Sequence, residues 1–479
     1  MKISTSSAPV TDSAAELLVL AIGNDLEADL APLVAAFGDD LTAWVGSRRF
    51  TGKPGALLQL PSMGKLAARE VLLVGVGDRA PRAMTEAAGR AGREARALRV
   101  TDVALSFGDM PAALLVEAFQ AGNYKYQAYT KESERSPAVG SLTLHGAKGD
   151  AAHASVRVKW QDWSRDLVNA PPADIYPESL AAKAQELAAL PHVEVEVWDM
   201  ARLEQEGCVG IIAVGQGSVR QPVMIHVRYR PPGATDHIAL VGKGVTFDAG
   251  GLSIKPTGGM QTMRCDMGGS AVVLGATGAA AELGVPVNIS TFVGAAENMV
   301  DGNSYKLGDI LRYRNGVNVE IHNTDAEGRL VMADCLINAS QVEGVSAIID
   351  AATLTGAAVV AVGPEFTGLF TAHDDLATEL LAAADAEQEG LWRLPLHPAY
   401  KDMLKAEWGT IKNVGGRAAG ATTAALFLQH FVADGTPWAH LDVAGPAFLD
   451  KASPRYVAGA TGEMVRSLTT WLAGRGAQG

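Results

Sequence analysis

The stretch that most narrows the choice of folds is His237-Ile238-Ala239-Leu240-Val241-Gly242-Lys243, which reads as a central strand whose last residue is a lysine. Residues 244–251, 252–256 and 257–260 follow, rich in glycine, and then Met263-Arg264-Cys265-Asp266-Met267-Gly268-Gly269 opens a helix. Two lysines, Lys243 and Lys255, and two aspartates, Asp248 and Asp266, therefore fall on a glycine-rich connection that cannot itself be a core element. A lysine between glycines invites a phosphate-loop reading. That reading fails, because the Ser or Thr after the lysine and the required glycine spacing are both missing.

A second charged stretch is Asn323-Thr324-Asp325-Ala326-Glu327-Gly328-Arg329-Leu330. Ahead of it, residues 309–314 and 317–321 are β-type runs around Asn315-Gly316, a hairpin signal. Behind it, residues 330–337 read as a helix. Asp325 and Glu327 are thus expected on a loop leaving a strand, just ahead of a helix N-terminus, where catalytic groups collect on α/β sheets. Taken alone, the octet is explained equally well by a helix cap and a surface ion pair.

The rest of the chain supports an α/β protein. In residues 1 to about 160, the runs 17–22 and 71–76 read as buried strands, 84–98 as a helix and 103–107 as the next strand. This alternation predicts a small α/β domain with a partly parallel sheet. It holds no acid–base cluster, and Gly75 and Gly77 are read as strand ends. Residues 166–174 look like a boundary, with Pro171 and Pro172 stopping a helix. Helix 178–190, strand 193–198, helix 200–207 and the extended run 223–229 follow.

A chain of 479 residues exceeds one ordinary core and points to about two to four domains. Hydrophobic residues at 48% and charged residues at 19% fit a globular protein with a large core. A net charge of −13 weighs against a general nucleic-acid or anionic-membrane binder. Cys208, Cys265 and Cys335 are odd in number and form no CxxC pair, which favours a reduced, cytoplasmic setting. The polar N-terminus lacks a signal-peptide stretch, and no apolar run approaches the ~20 residues of a membrane span.

A carboxylate-rich site with few nitrogen donors suits Mn²⁺, Mg²⁺ or Zn²⁺. There is no HExxH, and His322, beside the octet, is read as a packing or hydrogen-bonding residue, not a ligand.

Together, residues 241–256, 263–269 and 323–330 resemble the leucyl (cytosol) aminopeptidase family, with looser matches at 166–169, 352–356, 413–428 and 438–442. The resemblance covers about 165–470 well and the N-terminal part faintly. It implies a small N-terminal α/β domain (1–160, assembly or support) before a larger catalytic domain (161–479) with a mixed β-sheet flanked by helices. It also implies two divalent ions per subunit, Mn or Zn. Asp248 and Glu327 would bridge both ions, Lys243 and Asp266 would complete one site, and Asp325 the other. Lys243 would ligate as a neutral amine, its proton affinity lowered by burial and by the cations. Lys255 would stabilise the gem-diolate, and Arg329 would hold a bicarbonate serving as general base. Met263, Thr353, Leu354, Gly356 and Ala460 would shape a pocket for leucine-like N-termini. Ala249, Cys265 and His322 are departures from the pattern, and none removes a proposed ligand.

The implied activity is removal of N-terminal residues from short peptides with a free N-terminus, by a homohexamer engaged in intracellular peptide turnover. Two other readings stay open on the residues. One is a two-metal phosphoesterase, against which the missing histidine ligands weigh. The other is a DNA-binding scaffold, which the acidic balance disfavours.

Overall fold

The strand Leu17–Gly23 is buried at every position. Leu17, Val19 and Ala21 enter one hydrophobic core, while Leu18, Leu20 and Ile22 enter another. A strand covered on both faces has no polar side to show, so its sequence is continuously apolar. The computed structural model describes residues 1–477 and divides into two compact units, one of Met1–Lys159 with Leu449–Gly459, the other of Trp160–Phe448 with the residues from Ala460 onward.

The first unit is built on β1 (Lys2–Ser6), β2 (Leu17–Gly23), β3 (Leu57–Pro61), β4 (Glu70–Gly77), β5 (Asp102–Ser106) and β6 (Ser141–His145). Their order is β1-β6-β5-β2-β4-β3, parallel throughout except for the edge strand β3. Helix Pro81–Ala97 matches the sequence reading. The segment Leu449–Gly459 belongs to this unit. Arg93 donates to the carbonyls of Pro454 and Tyr456, and Gly89 leaves room for the backbone of Arg455.

The second unit contains β7 (Val193–Trp198), β8 (Val223–Tyr229), β9 (His237–Asp248), β10 (Asn288–Asn298), β11 (Ile310–Arg312), β12 (Asn318–Glu320), β13 (Ala347–Ala352), β14 (Thr367–Phe370), β15 (Leu391–Arg393), β16 (Ile411–Lys412) and β17 (Trp438–Asp442). Eight of these form a mixed sheet ordered β15-β14-β17-β13-β9-β10-β8-β7. The four middle strands are parallel, and the sheet turns antiparallel at β10/β8 and at β17/β14. Helices Gly268–Glu282 and Gly328–Ser340 pack on it and are buried along nearly their whole length, so neither shows an amphipathic stripe. The expected hairpin forms as β11 and β12, but it joins β16 in a separate three-stranded sheet. The octet therefore leaves this small sheet and not the central one.

Two expectations need correction. The central strand does not end at Lys243 but continues through Asp248, so Lys243 and Asp248 are core residues of β9. The glycines on either side of Lys243, Gly242 and Gly244, serve close packing. A Cβ on Gly242 would come within 2.6 Å of Val273 and 2.7 Å of the Ser270 backbone. Helix 178–190 is likewise shorter, running Pro177–Gln185 and tightening to a 3₁₀ turn over Glu186–Ala189. Among the described residues, no helix is long and apolar enough to cross a membrane.

Candidate active site

Lys243 and Asp248 are five residues apart, which in a regular strand would put them on opposite faces. The pairing of β9 with β10 shifts register between Ala296 and Glu297, so Val245 pairs with Ala296 and Phe247 with Glu297, leaving Thr246 as an extra residue. This bulge reverses the alternation. Lys243, Val245 and Asp248 now pair with Gly294, Ala296 and Asn298, alternate residues on one face of β10. Thr246 Oγ1 donates to the Ala296 carbonyl at 3.3 Å. Asn298 Nδ2 donates to Asp248 Oδ1 at 2.8 Å and to the Thr324 carbonyl at 2.9 Å, tying the strand end to the octet.

The remaining charged groups come from loops and helix starts. Asp266 sits on the 3₁₀ turn Met263–Met267 that leads into helix Gly268–Glu282. Glu327 is the residue before helix Gly328–Ser340, and Asp325 lies in the loop ahead of it. Thr324 shapes that loop, its hydroxyl donating to the Gly250 carbonyl and its own carbonyl accepting from Tyr305 Oη at 2.7 Å.

These side chains converge. Lys243 Nζ lies 2.8 Å from Asp266 Oδ1 and 2.9 Å from Glu327 Oε1, and it donates to the Thr353 carbonyl at 3.0 Å. Lys255 Nζ lies 2.8 Å from Asp248 Oδ2 and 2.6 Å from Asp325 Oδ1. Asp248, Asp325 and Glu327 each offer a carboxylate oxygen within 4.8 Å of the others. Gly328 is required here, because a Cβ would collide with the Lys243 side chain.

Four carboxylates so close together cannot all remain charged in a buried site without cations. Burial raises Asp248 to about 7, with Glu327 adding to the rise and the two lysines opposing it. Burial also lifts Asp266 well above the carboxylate range and raises Asp325. Burial works against ionised Glu327, but Lys243 and Lys255 outweigh it and bring it to about 2. For Lys243, burial favours the neutral amine, while Asp266, Glu327 and Asp248 outweigh burial and hold it as an ammonium. With the chain's own charges alone, then, the proton affinity of Lys243 rises. A cation-bound site would have to displace that proton. Asp266 Oδ2 and Glu327 Oε2 are buried without a hydrogen-bond partner. Unpartnered oxygens on carboxylates whose other oxygens meet Lys243 fit a site for hard or borderline divalent cations.

Around this cluster, Arg329 is buried, and Nη1 donates to the Asn413 carbonyl at 2.8 Å. Its guanidinium lies 5.9 Å from the centre of the Phe427 ring, and Nε has no partner. Thr353 Oγ1 lies 3.0 Å from both Asp266 Oδ1 and the Asp266 carbonyl. Asp442 accepts from the Leu354 amide and from Thr355 Oγ1 at 2.7 Å, fixing the segment that leads to Gly356, the exposed first residue of helix Gly356–Val362. Met263 begins the turn that carries Asp266. Ala460 is buried, with backbone bonds to Asn169 and Arg165 that tie it to helix Ala152–Asn169. His322 is exposed and pairs with Glu320 at 2.9 Å.

Asn298, Tyr305, Asn413 and Asp442 are the polar supports that sequence reasoning did not assign. They are neutral or isolated, and they lie far along the chain from the groups they hold. An asparagine closing an apolar strand, as in residues 288–298, was the one available signal.

Similarity to known proteins extends over nearly the whole chain. The catalytic-domain model of the cytosol aminopeptidase family matches residues 162–469, and that family's N-terminal-domain model matches residues 19–133. A probable cytosol aminopeptidase of Roseiflexus castenholzii is 41% identical over 490 residues, covering 98% of each chain. One from Rhodopirellula baltica is 40% identical over 92% of this chain and 88% of its own. Among solved structures, a tomato leucine aminopeptidase mutant superposes with a TM-score of 0.89 at 31% identity, covering 99% of this chain and 96% of its own. The bottromycin maturation enzyme BotP in complex with Mn gives 0.85 at 33%, covering 96% of this chain and all of its own. With a buried carboxylate–lysine site suited to divalent cations on a two-domain α/β frame, the chain belongs to the cytosol aminopeptidase family and is a metal-dependent aminopeptidase acting on peptides.

Proposed function

We propose that the enzyme is a cytoplasmic leucine-preferring aminopeptidase that holds two divalent ions, Mn or Zn, and trims short peptides from a free N-terminus. The observation that carries this reading is the convergence of Lys243, Asp248, Asp266, Asp325 and Glu327 with two buried carboxylate oxygens left unpartnered. Asp248 and Glu327 would serve both ions, Lys243 and Asp266 would complete the ligands of one, and Asp325 those of the other. The Mn-bound bottromycin enzyme supports a divalent ion of this type. When bound, the ions supply the Lewis acidity that makes hydroxide available near neutral pH and polarises the scissile carbonyl.

The chain's own residues do the rest. Lys255 stays charged, its ammonium favoured by Asp248 and Glu327 over the opposing effect of burial, and is placed to stabilise the oxyanion that develops in the transition state. Arg329, with Nη1 held and Nε free for an acceptor, offers a planar fork that would hold a bicarbonate, and such an anion would supply a general base there. Thr353 and Asn298 hold Asp266 and Asp248 in place. Met263, Thr353, Leu354, Gly356 and Ala460 form the pocket for the first side chain. Residues 1–160 serve assembly of a homohexamer and 161–479 the chemistry.

The test is hydrolysis of a leucine anilide before and after chelation, with Mn²⁺ or Zn²⁺ restored, and a count of metal per chain. Two ions per chain and activity that returns with metal are expected. One ion per chain at full activity would remove the two-metal reading, and a faster reaction on a phosphate ester would move the chain to another class of hydrolase. Sedimentation of the native protein should give six chains per particle.

A further inference from the structure

Asn413 lies just beyond β16, is fully buried, and directs its side chain and its carbonyl to the segment that carries the candidate site. Its amide N–H donates to the Glu320 carbonyl at 3.1 Å, continuing the pairing of β16 with β12. Its side-chain Oδ1 accepts from the His322 amide at 2.9 Å and from the Asn323 amide at 3.3 Å. Nδ2 donates to the Asn323 carbonyl at 2.6 Å, and the main-chain carbonyl accepts from Arg329 Nη1 at 2.8 Å. One residue thus holds both ends of 322–329, the stretch that contains Asp325 and Glu327.

The chemistry of the side chain explains why an amide is needed. The turn at His322-Asn323 presents two N–H donors and one carbonyl acceptor to the same point, and only a side chain with an acceptor and a donor on one carbon answers both. A carboxylate would satisfy the donors and repel the carbonyl. An alanine would leave the two amides without that acceptor and the Asn323 carbonyl with only the Ala326 amide, at 3.4 Å. At the other end, the Asn413 carbonyl fixes one arm of the Arg329 fork while Nε stays open, and the Phe427 ring lies beside the guanidinium. A guanidinium anchored on one nitrogen is pre-set to receive a planar anion on the others.

We propose that Asn413 is a positioning residue for the anion held by Arg329, acting through the octet backbone and through its own carbonyl. The inference rests on the reading of Arg329 as a bicarbonate site. A shift in the guanidinium or the octet of a fraction of an ångström is sufficient to lower turnover without changing how the peptide binds.

The test compares wild type, Asn413→Asp, Asn413→Ala and Arg329→Ala in leucine anilide hydrolysis over a bicarbonate titration and in direct bicarbonate binding by calorimetry, which should weaken in the Asn413 variants, with each variant's folded fraction measured by thermal melt. Asn413→Asp keeps the size and the acceptor of both amides and replaces the donor with an oxygen that repels the Asn323 carbonyl, so it is the milder of the two changes and the variant expected to fold. Both Asn413 variants should show kcat lowered by about 10- to 100-fold, KM within a factor of about two, and a raised bicarbonate concentration for half-activation. Asn413→Asp should be the milder. Unchanged kcat and bicarbonate response per folded molecule in Asn413→Asp would overturn the proposal, because a purely structural residue lowers the melting temperature and leaves those two readouts in place. If Asn413→Ala does not fold, Asn413→Asp decides alone. A wild-type enzyme indifferent to bicarbonate, with Arg329→Ala fully active, would instead overturn the reading of Arg329 and remove the ground on which the inference stands.

Discussion

At the scale of single residues, the site is a contest between burial and charge. Lys255 lies in a loop, and its ammonium pairs with Asp248 and Asp325. Replacing it with alanine should lower kcat by ~10²-fold or more while metal still binds, because the loss falls on the transition state. A variant that hydrolyses leucine anilide at half the wild-type rate would show that the ammonium is a counter-ion and nothing further. A second residue-scale expectation concerns His226, which is buried on β8 and stacked on Phe292 at 4.1 Å. Burial, reinforced by Arg228 and offset in part by Glu196, pulls its imidazole from 6.5 down to about 4. A depressed histidine means that the unfolded chain takes up the proton first. Stability is therefore complete above about pH 6.5 and falls as the pH drops toward 4. Between pH 7 and pH 5 the loss from this group is about 2 kcal/mol. Urea midpoints for wild type and His226→Leu at the two pH values measure it. An acid loss equal in both proteins would mean that other groups set the acid limb.

At the scale of elements, what could be read in the sequence depended on whether a residue's reason for being there was local. Leu17–Gly23 and Val193–Trp198 were legible because covered strands and turn residues declare themselves within a few positions. Asp325 and Glu327 were legible because charged side chains in glycine-rich segments have no core explanation. The true end of β9 was not legible, because the glycines from Gly244 onward look like a loop until the strand packed against Gly244 is seen. The bulge at Thr246 left no trace in the sequence at all, since it is defined by a partner about fifty residues away. That bulge is what puts Asp248 on the face of Lys243. Thr246→Val keeps the shape and removes the hydroxyl bond to Ala296, so it should cost about 1 kcal/mol in unfolding free energy. It should also weaken metal retention against a competing chelator by ~10-fold, as a disturbed ligand-bearing element commonly does. Full metal affinity alongside the stability loss would show that the bulge is held by the register of the sheet and not by the hydroxyl.

At the scale of the whole molecule, the two units have separate hydrophobic cores, and the candidate metal ligands all belong to one of them. Sequence order concealed part of this division, because residues 449–459 belong with the first unit although they follow nearly all of the second. Removing the cations from the site would leave its four carboxylates balanced by two lysines alone, and the resulting strain is local to the segments that carry them. Loss of a ligand that binds only the folded state lowers stability wherever that ligand acts. Chelation should therefore speed backbone hydrogen exchange in peptides covering 244–256, 263–269 and 323–330, with smaller changes along Ala347–Ala352. Peptides covering Leu17–Gly23 and Glu70–Gly77 should exchange at the same rate with and without metal, because their burial owes nothing to the site. Exchange followed by mass spectrometry, with and without chelator, separates the cases. A rise of equal size in both units would mean that the ions stabilise the molecule as one cooperative body, and the two cores would then have to be treated as a single folding unit.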